Sequence, residues 1–309
     1  PDSKKRAGFK KSNTYFRTKA HQSCRLKSQT NCLIKTFFGN YITLLDKEQN
    51  KNILICMFAE LSIISNFTFL TGASHPEEYM MRASLLGLPA IAITDVNSVT
   101  GIVRAHSAAR DIKRLVKDRE SKDLIGPPRP QNIKKPPSLS LNTIPRLVPG
   151  SKLQLIDGFE VTVLPKSRKG WGTLCRCLSK GRLRNNKGLC DLVISEIIEE
   201  LDEVVLLIHA PEAPWDPENS KLWLENSTRL KSKFKQGVYV VLTPEYDGID
   251  PKRFEHIIKL SQIIRCDLIA SAHPIMHHSK RRKLADVLTA IRLGKSIDQL
   301  GKDALPNAE

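Results

Sequence analysis

Residues 90–95 read Ala90-Ile91-Ala92-Ile93-Thr94-Asp95, a short apolar run that ends in a carboxylate. A continuous apolar run of this length predicts a buried strand. It is followed by Gly101–Val116, which predicts an amphipathic helix because its apolar residues lie on or near one face. The residues of that face are Ile102, Ala105, Ala109, Ile112 and Val116. A buried strand followed by an amphipathic helix indicates the α/β class.

The same strand-then-helix pattern recurs between residues 58 and 293. Further strands are predicted at Leu61–Ile64, Phe159–Leu164, Val204–His209, Val238–Thr243 and Leu268–Ala272. Helices are predicted over 74–86, with Ser74 as the cap and Glu77 completing a capping box, over 250–264 and over 283–293. Continuous apolar strands that alternate with helices predict parallel pairing and, most simply, a barrel.

Chemistry in such barrels lies at the carboxyl ends of the strands. Asp95, His209, Thr243 and His273 lie at the carboxyl ends of predicted strands, so a candidate site is expected there. His273 and His277, four residues apart, could form a metal site with Asp95. Pro274 disfavours helical geometry at His273, so polar histidines without a metal remain the other interpretation.

The other motifs in the sequence give little indication of a catalytic site. Cys175 and Cys177 lie two apart on a predicted helix, where side chains diverge, so shared zinc ligation is not expected. The chain has no glycine-rich phosphate loop, nucleophile elbow or dinucleotide fingerprint. Two basic clusters could contact phosphates or form a solvated charged face. They are Arg182, Arg184 and Lys187, and Lys280, Arg281, Arg282 and Lys283.

The charge of the chain is uneven. Of 49 Lys and Arg against 32 Asp and Glu, residues 1–57 hold 12 against three. This segment lacks helical or strand periodicity, so it is either a basic arm for nucleic acid or an unfolded or non-native extension before Met57. The organised domain is expected over 58–293, interrupted by a surface insertion at 117–150 that contains seven prolines.

Composition also excludes several classes of protein. No apolar run approaches the ~18 residues that a membrane span needs, and no secretory signal is recognisable. Seven cysteines without regular spacing favour free thiols in a reducing compartment, so a cytoplasmic location is expected.

Residues 58–78, FAELSIISNFTFLTGASHPEE, resemble the opening of a bacterial C-family DNA polymerase, most closely the error-prone (translesion) branch of polymerase III alpha-type subunits. The resemblance continues through residues 90–95, 101–106, 174–178, 181–184, 187–188, 281–292 and 305–309. It implies a PHP domain, a distorted (β/α)7 barrel at the polymerase N-terminus. The proline-rich insertion resembles one found in a subset of that branch.

The resemblance also implies how the metal site of the family has changed. Intact PHP domains bind two or three metals and hydrolyse phosphoesters, and some proofread. The matching positions here are Glu60, Ser62, Ile64, Asp95, Val96, Lys152, His273 and Ile275. Each departure from the family pattern deletes a ligand or introduces a cation, so no metal and no catalytic residue is expected. Lys152 is expected to pair with Glu60 or Asp95 in place of a metal.

The function implied is that of a non-catalytic PHP fragment of an error-prone polymerase that serves translesion synthesis and DNA repair. The domain would support the polymerase palm and thumb, and residues 294–309 would begin the link to the palm. The Mg²⁺-binding carboxylates of the polymerase lie in the palm, so the chain alone is expected not to extend primers and needs no cofactor of its own. DNA, the sliding clamp and translesion accessory proteins are the implied partners of the whole polymerase. The alternatives are a metal-dependent phosphoesterase or proofreading exonuclease, and a non-functional gene fragment.

Overall fold

A computed structural model describes residues 58–125, 140–186, 188–211 and 217–305. The basic segment 1–57, the proline-rich centre of the predicted insertion and Lys187 lie outside the described residues. By its internal contacts the chain divides after Phe58, and the described elements belong to the second unit, Ala59–Glu309. None of the helices in the described residues combines the length and the hydropathy that a membrane span requires.

Eight strands in the described residues form two sheets. The three-stranded sheet contains β1 (Glu60–Ile63), β2 (Ala90–Ile93) and β3 (Arg146–Pro149). The five-stranded sheet contains β4 (Ser151–Gln154), β5 (Glu160–Pro165), β6 (Val204–Ile208), β7 (Val238–Leu242) and β8 (Asp267–Ala270). Strand order follows chain order in both sheets, and the predicted α/β class is confirmed.

The expectation of parallel pairing throughout is wrong at β5. This strand runs antiparallel to both β4 and β6, whereas the other neighbouring strands are parallel. Only residues 155–159 separate β4 from β5, and so short a connection can form an antiparallel hairpin but not a parallel crossover. The sequence analysis predicts neither β3 nor β4. Strand β3 lies inside the predicted insertion 117–150 but pairs with β2, so the end of that segment belongs to the sheet.

The two sheets meet at two seams. At one seam an isolated bridge joins Val96 to Lys152. At the other, the Ile64 N–H donates to the Pro274 carbonyl at 3.1 Å and the Ala73 N–H donates to the Ile275 carbonyl at 2.7 Å. Among the described strands no continuous ladder spans either seam, so the predicted barrel is not closed by strand pairing.

Seven helices cover the sheets in the described residues. They are α1 (Pro76–Leu86), α2 (Thr100–Ile125), α3 (Arg168–Leu183), α4 (Ile194–Glu200), α5 (Pro217–Phe234), α6 (Asp250–Ile264) and α7 (Arg282–Leu293). Helix α1 is capped by His75 rather than by the predicted Ser74, and Glu78, not Glu77, accepts the N–H of the capping residue, at 2.9 Å. Helix α2 continues beyond the predicted end at Val116 to Ile125 and so enters the predicted insertion.

The apolar core follows the two sheets. Leu153, Val161, Leu206 and Val240 of the five-stranded sheet form one buried cluster with residues of α3 to α6. Ile63, Ile91 and Ile93 form a second cluster with α1 and α2. Burying each such side chain stabilises the fold by about 1.5–3 kcal/mol. This packing holds the strands in place, and polar residues lie at their carboxyl ends.

Candidate functional site

Polar side chains gather where the strands end, as the sequence predicts. His209 follows β6 and His273 follows the end of β8, and their ring centroids lie 5.3 Å apart. Ser62 of β1 and Lys152 of β4 contact His273. Thr243 follows β7 and is half-buried. We call Ser62, Lys152, His209 and His273 the strand-end cluster.

His273 is the centre of the strand-end cluster. Its Nδ1 lies 3.0 Å from the Ser62 carbonyl and 2.9 Å from the Ser62 hydroxyl. Its Nε2 lies 3.4 Å from the Lys152 ammonium, which can only donate. These contacts fit a neutral imidazole that carries its proton on Nδ1 and accepts at Nε2. Burial, reinforced by the charge of Lys152, lowers the pKa of His273 from 6.5 to about 3.

Lys152 forms an ion pair that the sequence analysis missed. Its Nζ lies 2.8 Å from Glu160 Oε2, and no ion pair with Glu60 or Asp95 is found, which corrects the expected pairing. Glu160 opens β5, which runs antiparallel to its neighbours, so the amino end of β5 lies beside the carboxyl ends of β4 and β6. The Asp157-Gly158 turn before it was the sequence signal for this reversal.

His209 is buried beside the cluster and is fixed on two sides. Its Nε2 lies 2.8 Å from the Thr162 hydroxyl, and its carbonyl accepts the Trp223 indole N–H at 2.7 Å. Burial, followed by the charge of Lys152, lowers the pKa of His209 well below 6.5. His209 is therefore a neutral structural histidine at neutral pH.

The Glu60 carboxylate is buried and accepts hydrogen bonds from three protein donors. Oε1 accepts from the Ser62 N–H at 3.0 Å and from the Ser271 hydroxyl at 2.5 Å, and Oε2 accepts from the Ala272 N–H at 2.8 Å. Burial raises the pKa of Glu60, and these hydrogen bonds oppose that rise. Its oxygens are thus engaged with protein donors on both sides.

The Asp95 carboxylate is engaged in the same way at the end of β2. Oδ1 accepts from the Ser65 N–H at 2.8 Å and from the Thr68 hydroxyl at 2.9 Å, and the Ser65 hydroxyl lies 2.8 Å from Oδ2. Burial raises the pKa of Asp95, although the Ser65 and Thr68 hydrogen bonds lower it. Asp95 therefore anchors the turn that follows β1.

The remaining family positions offer main-chain contacts. Ile64 is buried, Val96 bridges to Lys152, and the Ile275 carbonyl accepts a hydrogen bond from Ala73. His277 does not join Asp95 and His273, because its Nδ1 lies 2.8 Å from the Ser74 hydroxyl. Across the described ranges no three His, Cys, Asp or Glu side chains are arranged to hold a metal.

The residues present do not fit the metals that the family resemblance implies. The Nε2 lone pair of His273 faces an ammonium, and a divalent ion placed there would be repelled by Lys152. The Glu60 and Asp95 carboxylates already accept hydrogen bonds from fixed protein donors. The arrangement therefore supplies its own positive charge and no open coordination position.

The cysteines and the basic clusters take no part in this arrangement. Cys175 and Cys177 are free thiols on α3, and burial raises the pKa of Cys177 to about 12. The arginines predicted to contact phosphates have protein partners. Arg182 donates to the Asn97 carbonyl, Arg184 pairs with Glu196, Arg281 pairs with Glu78, and Arg282 pairs with Asp286. Their contact with phosphate stays a prediction.

Comparison with known proteins agrees with the fold and the sequence pattern. The family model of the PHP domain matches residues 60–242. An error-prone DNA polymerase from Ruegeria pomeroyi is 36% identical over 264 residues, covering 82% of this chain and 23% of that protein. An error-prone DNA polymerase from Rhodopseudomonas palustris (strain BisB5) is 34% identical over 253 residues, covering 82% of this chain and 20% of that protein. The chain thus spans about a fifth of the length of the curated relatives it matches.

Solved structures show a more distant likeness. An amidohydrolase from Chromobacterium violaceum aligns over 71% of this chain and 87% of its own, at 11% identity and a TM-score of 0.44, which is too low to support a conclusion about chemistry. The family assignment rests on the domain match and on the polymerase relatives. The chain belongs to the PHP domain family, and over most of its length it is similar to the N-terminal region of error-prone DNA polymerases.

Proposed function

We propose that this chain is the PHP module of an error-prone DNA polymerase and that the module is a non-catalytic scaffold. The observation that carries the proposal is the Lys152 ammonium, which lies 3.4 Å from His273 Nε2 and 2.8 Å from Glu160. Metal-dependent phosphoester hydrolysis requires a metal with an open position for water. A fixed ammonium in this place supplies charge but cannot activate water in that way.

The proposed partners follow from the relatives. The module would support the palm and thumb of a polymerase that extends primers across damaged template in the cytoplasm, and DNA would be reached through the whole enzyme. Mg²⁺, the sliding clamp and accessory translesion proteins would belong to the rest of that polymerase. The similarity to error-prone DNA polymerases over 82% of the chain supports this context.

Metal content and hydrolysis test the non-catalytic part of the proposal. The purified chain is dialysed with Mn²⁺ or Zn²⁺, analysed for bound metal, and melted with and without chelator. Hydrolysis of bis(p-nitrophenyl) phosphate and of a 3′-labelled oligonucleotide is measured in parallel. We expect no stoichiometric bound metal, the same melting temperature with and without chelator, and no hydrolysis of either substrate. Tightly bound metal with chelator-sensitive melting and hydrolysis would instead establish the phosphoesterase alternative.

A chimera tests the scaffold part. Residues 58–309 replace the matching region of the Ruegeria pomeroyi error-prone polymerase, and primer extension is compared with that of the unaltered enzyme. A scaffold should give a soluble chimera that retains Mg²⁺-dependent extension. An insoluble or inactive chimera, beside an active parent enzyme, would contradict the scaffold role.

A further inference from the structure

We infer that Glu60, Ser62, Tyr79, Lys152 and His273 form a side-chain clasp that closes the fold between its two sheets. The clasp holds residues 271–277, the segment after β8 that we call the strap, against residues 60–79. This inference does not depend on the proposed polymerase context. It concerns what the residues at the family's metal positions do in this chain.

The need for a clasp follows from the sheet topology. Among the described strands, β1 pairs only with β2 and β8 pairs only with β7, so each leaves one edge without a ladder at this seam. An unpaired strand edge leaves backbone groups that must find other partners. Here the strap supplies them. The Pro274 carbonyl accepts the Ile64 N–H, and the Ile275 carbonyl accepts the Ala73 N–H.

Glu60 contacts both sides of the seam. One carboxylate accepts from the Ser62 N–H on its own strand and from the Ser271 hydroxyl and Ala272 N–H on the strap. Hydrogen bonds to a buried charged acceptor are stronger than neutral ones, and removing the acceptor leaves the donors without a partner. Loss of this carboxylate should therefore open the strap before it unfolds the rest of the domain.

His273 provides the second fastening. Its φ of 44° is an uncommon conformation for a residue other than glycine, so its surroundings must hold it there. Ser62 contacts its Nδ1 from β1, and Lys152 reaches its Nε2 from β4, which lies across the other seam. Three segments far apart in sequence thus meet on one imidazole, with an ammonium in place of a metal.

Tyr79 adds a contact from helix α1. Its hydroxyl lies 3.1 Å from the Ile64 carbonyl and 3.2 Å from the Pro274 carbonyl, one on each side of the seam. The strap is therefore held by the Glu60 carboxylate, by the contacts of Ser62 and Lys152 with its own His273 imidazole, and by the Tyr79 phenol. A local set of fastenings predicts local opening when one of them is removed.

Hydrogen exchange of the full chain, followed by mass spectrometry, tests the clasp. Glu60→Gln places an amide N–H₂ among donors, and Lys152→Met removes the ammonium from His273. We expect exchange at the amides of 271–277 and 60–66 to become about tenfold faster or more, because each variant loses a charge-assisted hydrogen bond. Exchange in β6 and β7 should stay unchanged.

The controls separate closure from general stability. Glu225→Gln on α5 and Lys252→Met on α6 change exposed residues of the same types and should leave the strap protected. If Glu60→Gln does not fold, Ser62→Ala and Tyr79→Phe are measured in its place. Unchanged exchange in the strap, or a uniform rise over all elements, would overturn the inference.

Discussion

Asp95 has a structural role in this chain, at a position that the family resemblance identifies with a metal ligand. Its carboxylate is filled by donors from Ser65 and Thr68, and Gly101 at the start of α2 lies directly against it. A Cβ added at Gly101 would lie 2.5 Å from Asp95 Oδ2 and 3.0 Å from Ser65 Oγ. The absence of a side chain at residue 101 is therefore part of the Asp95 anchor.

We predict that Gly101→Ala destabilises the domain by about 1–3 kcal/mol, the usual cost of forcing an added methyl group into a packed site. Urea unfolding monitored by circular dichroism measures the change. Gly172→Ala is the matched control, because its added Cβ would meet only the end of the Arg176 side chain, at 3.7 Å, within helix α3. That variant should be neutral or stabilised by about 0.5–1 kcal/mol. Equal effects of the two substitutions would contradict the Asp95 anchor.

The buried histidines give the domain a defined pH dependence. The pKa of His273 is lowered to about 3 and that of His209 well below 6.5. Both imidazoles therefore stay neutral in the folded chain at pH values at which they are protonated in the unfolded chain. The contribution of these two histidines to the unfolding free energy is fully present above about pH 6.5. It falls as the pH decreases below that value, by at most about 1.4 kcal/mol per pH unit for each histidine. The raised pKa values of Glu60 and Asp95 have the opposite sign and reduce the slope.

We predict that His273→Gln flattens this dependence by the contribution of one histidine. Unfolding free energies at several pH values between about 5 and 7.5 give the slope. The exposed His106 offers the control, because His106→Gln should keep the slope of the unaltered chain. A variant at residue 273 with an unchanged slope would show that this imidazole is not kept neutral by the fold.

At the scale of elements, the hairpin of β4 and β5 separates what the sequence predicts from what it does not. Apolar runs such as 90–95 and 204–208 predict buried strands, because a strand buried on both faces needs continuous apolar residues. Strand β3 begins at Arg146 and ends at Pro149, and strand β4 includes Lys152 and Gln154, so neither gives such a run. Their identity depends on tertiary pairing with β2 and β5, which composition alone does not encode.

The candidate site divides in the same way. Asp95, His209 and His273 could be placed at strand ends, because each directly follows an apolar run. The partner of Lys152 could not, since Glu160 reaches it only through the reversed direction of β5. A local pattern can give the position of a side chain along a strand, whereas its partner depends on strand order and direction.

A buried arginine is surrounded by carboxylates at the amino end of helix α6. Arg253 is buried and pairs with Asp247, Asp250 and Glu245, while the Asp250 carboxylate accepts the backbone N–H groups of residues 245 and 246. Removing the guanidinium leaves these carboxylates facing one another. We expect Arg253→Met to lower the unfolding free energy by about 1–3 kcal/mol.

The neighbouring Lys252→Met is the control, because residue 252 is exposed and should change stability by less than about 0.5 kcal/mol. Both variants are measured by urea unfolding at neutral pH. Proteolysis within 243–250 should also become faster in Arg253→Met only. A variant at residue 253 as stable as the control would mean that solvent screens these pairs.

The net charge of the whole chain, +17, favours attraction to nucleic acid. On the described surface, however, several basic side chains face acids. Arg184 faces Glu196, Arg281 faces Glu78, and Lys180 and Arg176 face Glu200. Residues 1–57 contribute about half of the net charge, with 12 basic residues against three acidic ones. Binding to DNA should therefore be electrostatic and without sequence preference.

We predict weak DNA binding that is lost as salt rises, since each neutralised phosphate contributes about −0.9 to the slope of log K against log salt. Fluorescence anisotropy with a labelled duplex, between about 50 and 200 mM salt, measures that slope.

Arg182 donates to a backbone carbonyl rather than to an acid, so Arg182→Ala should reduce the slope by about one if its charge reaches phosphate. Arg184→Ala should reduce it less, because Glu196 already neutralises Arg184. The basic segment 1–57 is the same in every variant, so differences in slope report the domain alone. Binding that does not change with salt, or equal slopes for the two variants, would refute the assignment of phosphate contact to Arg182.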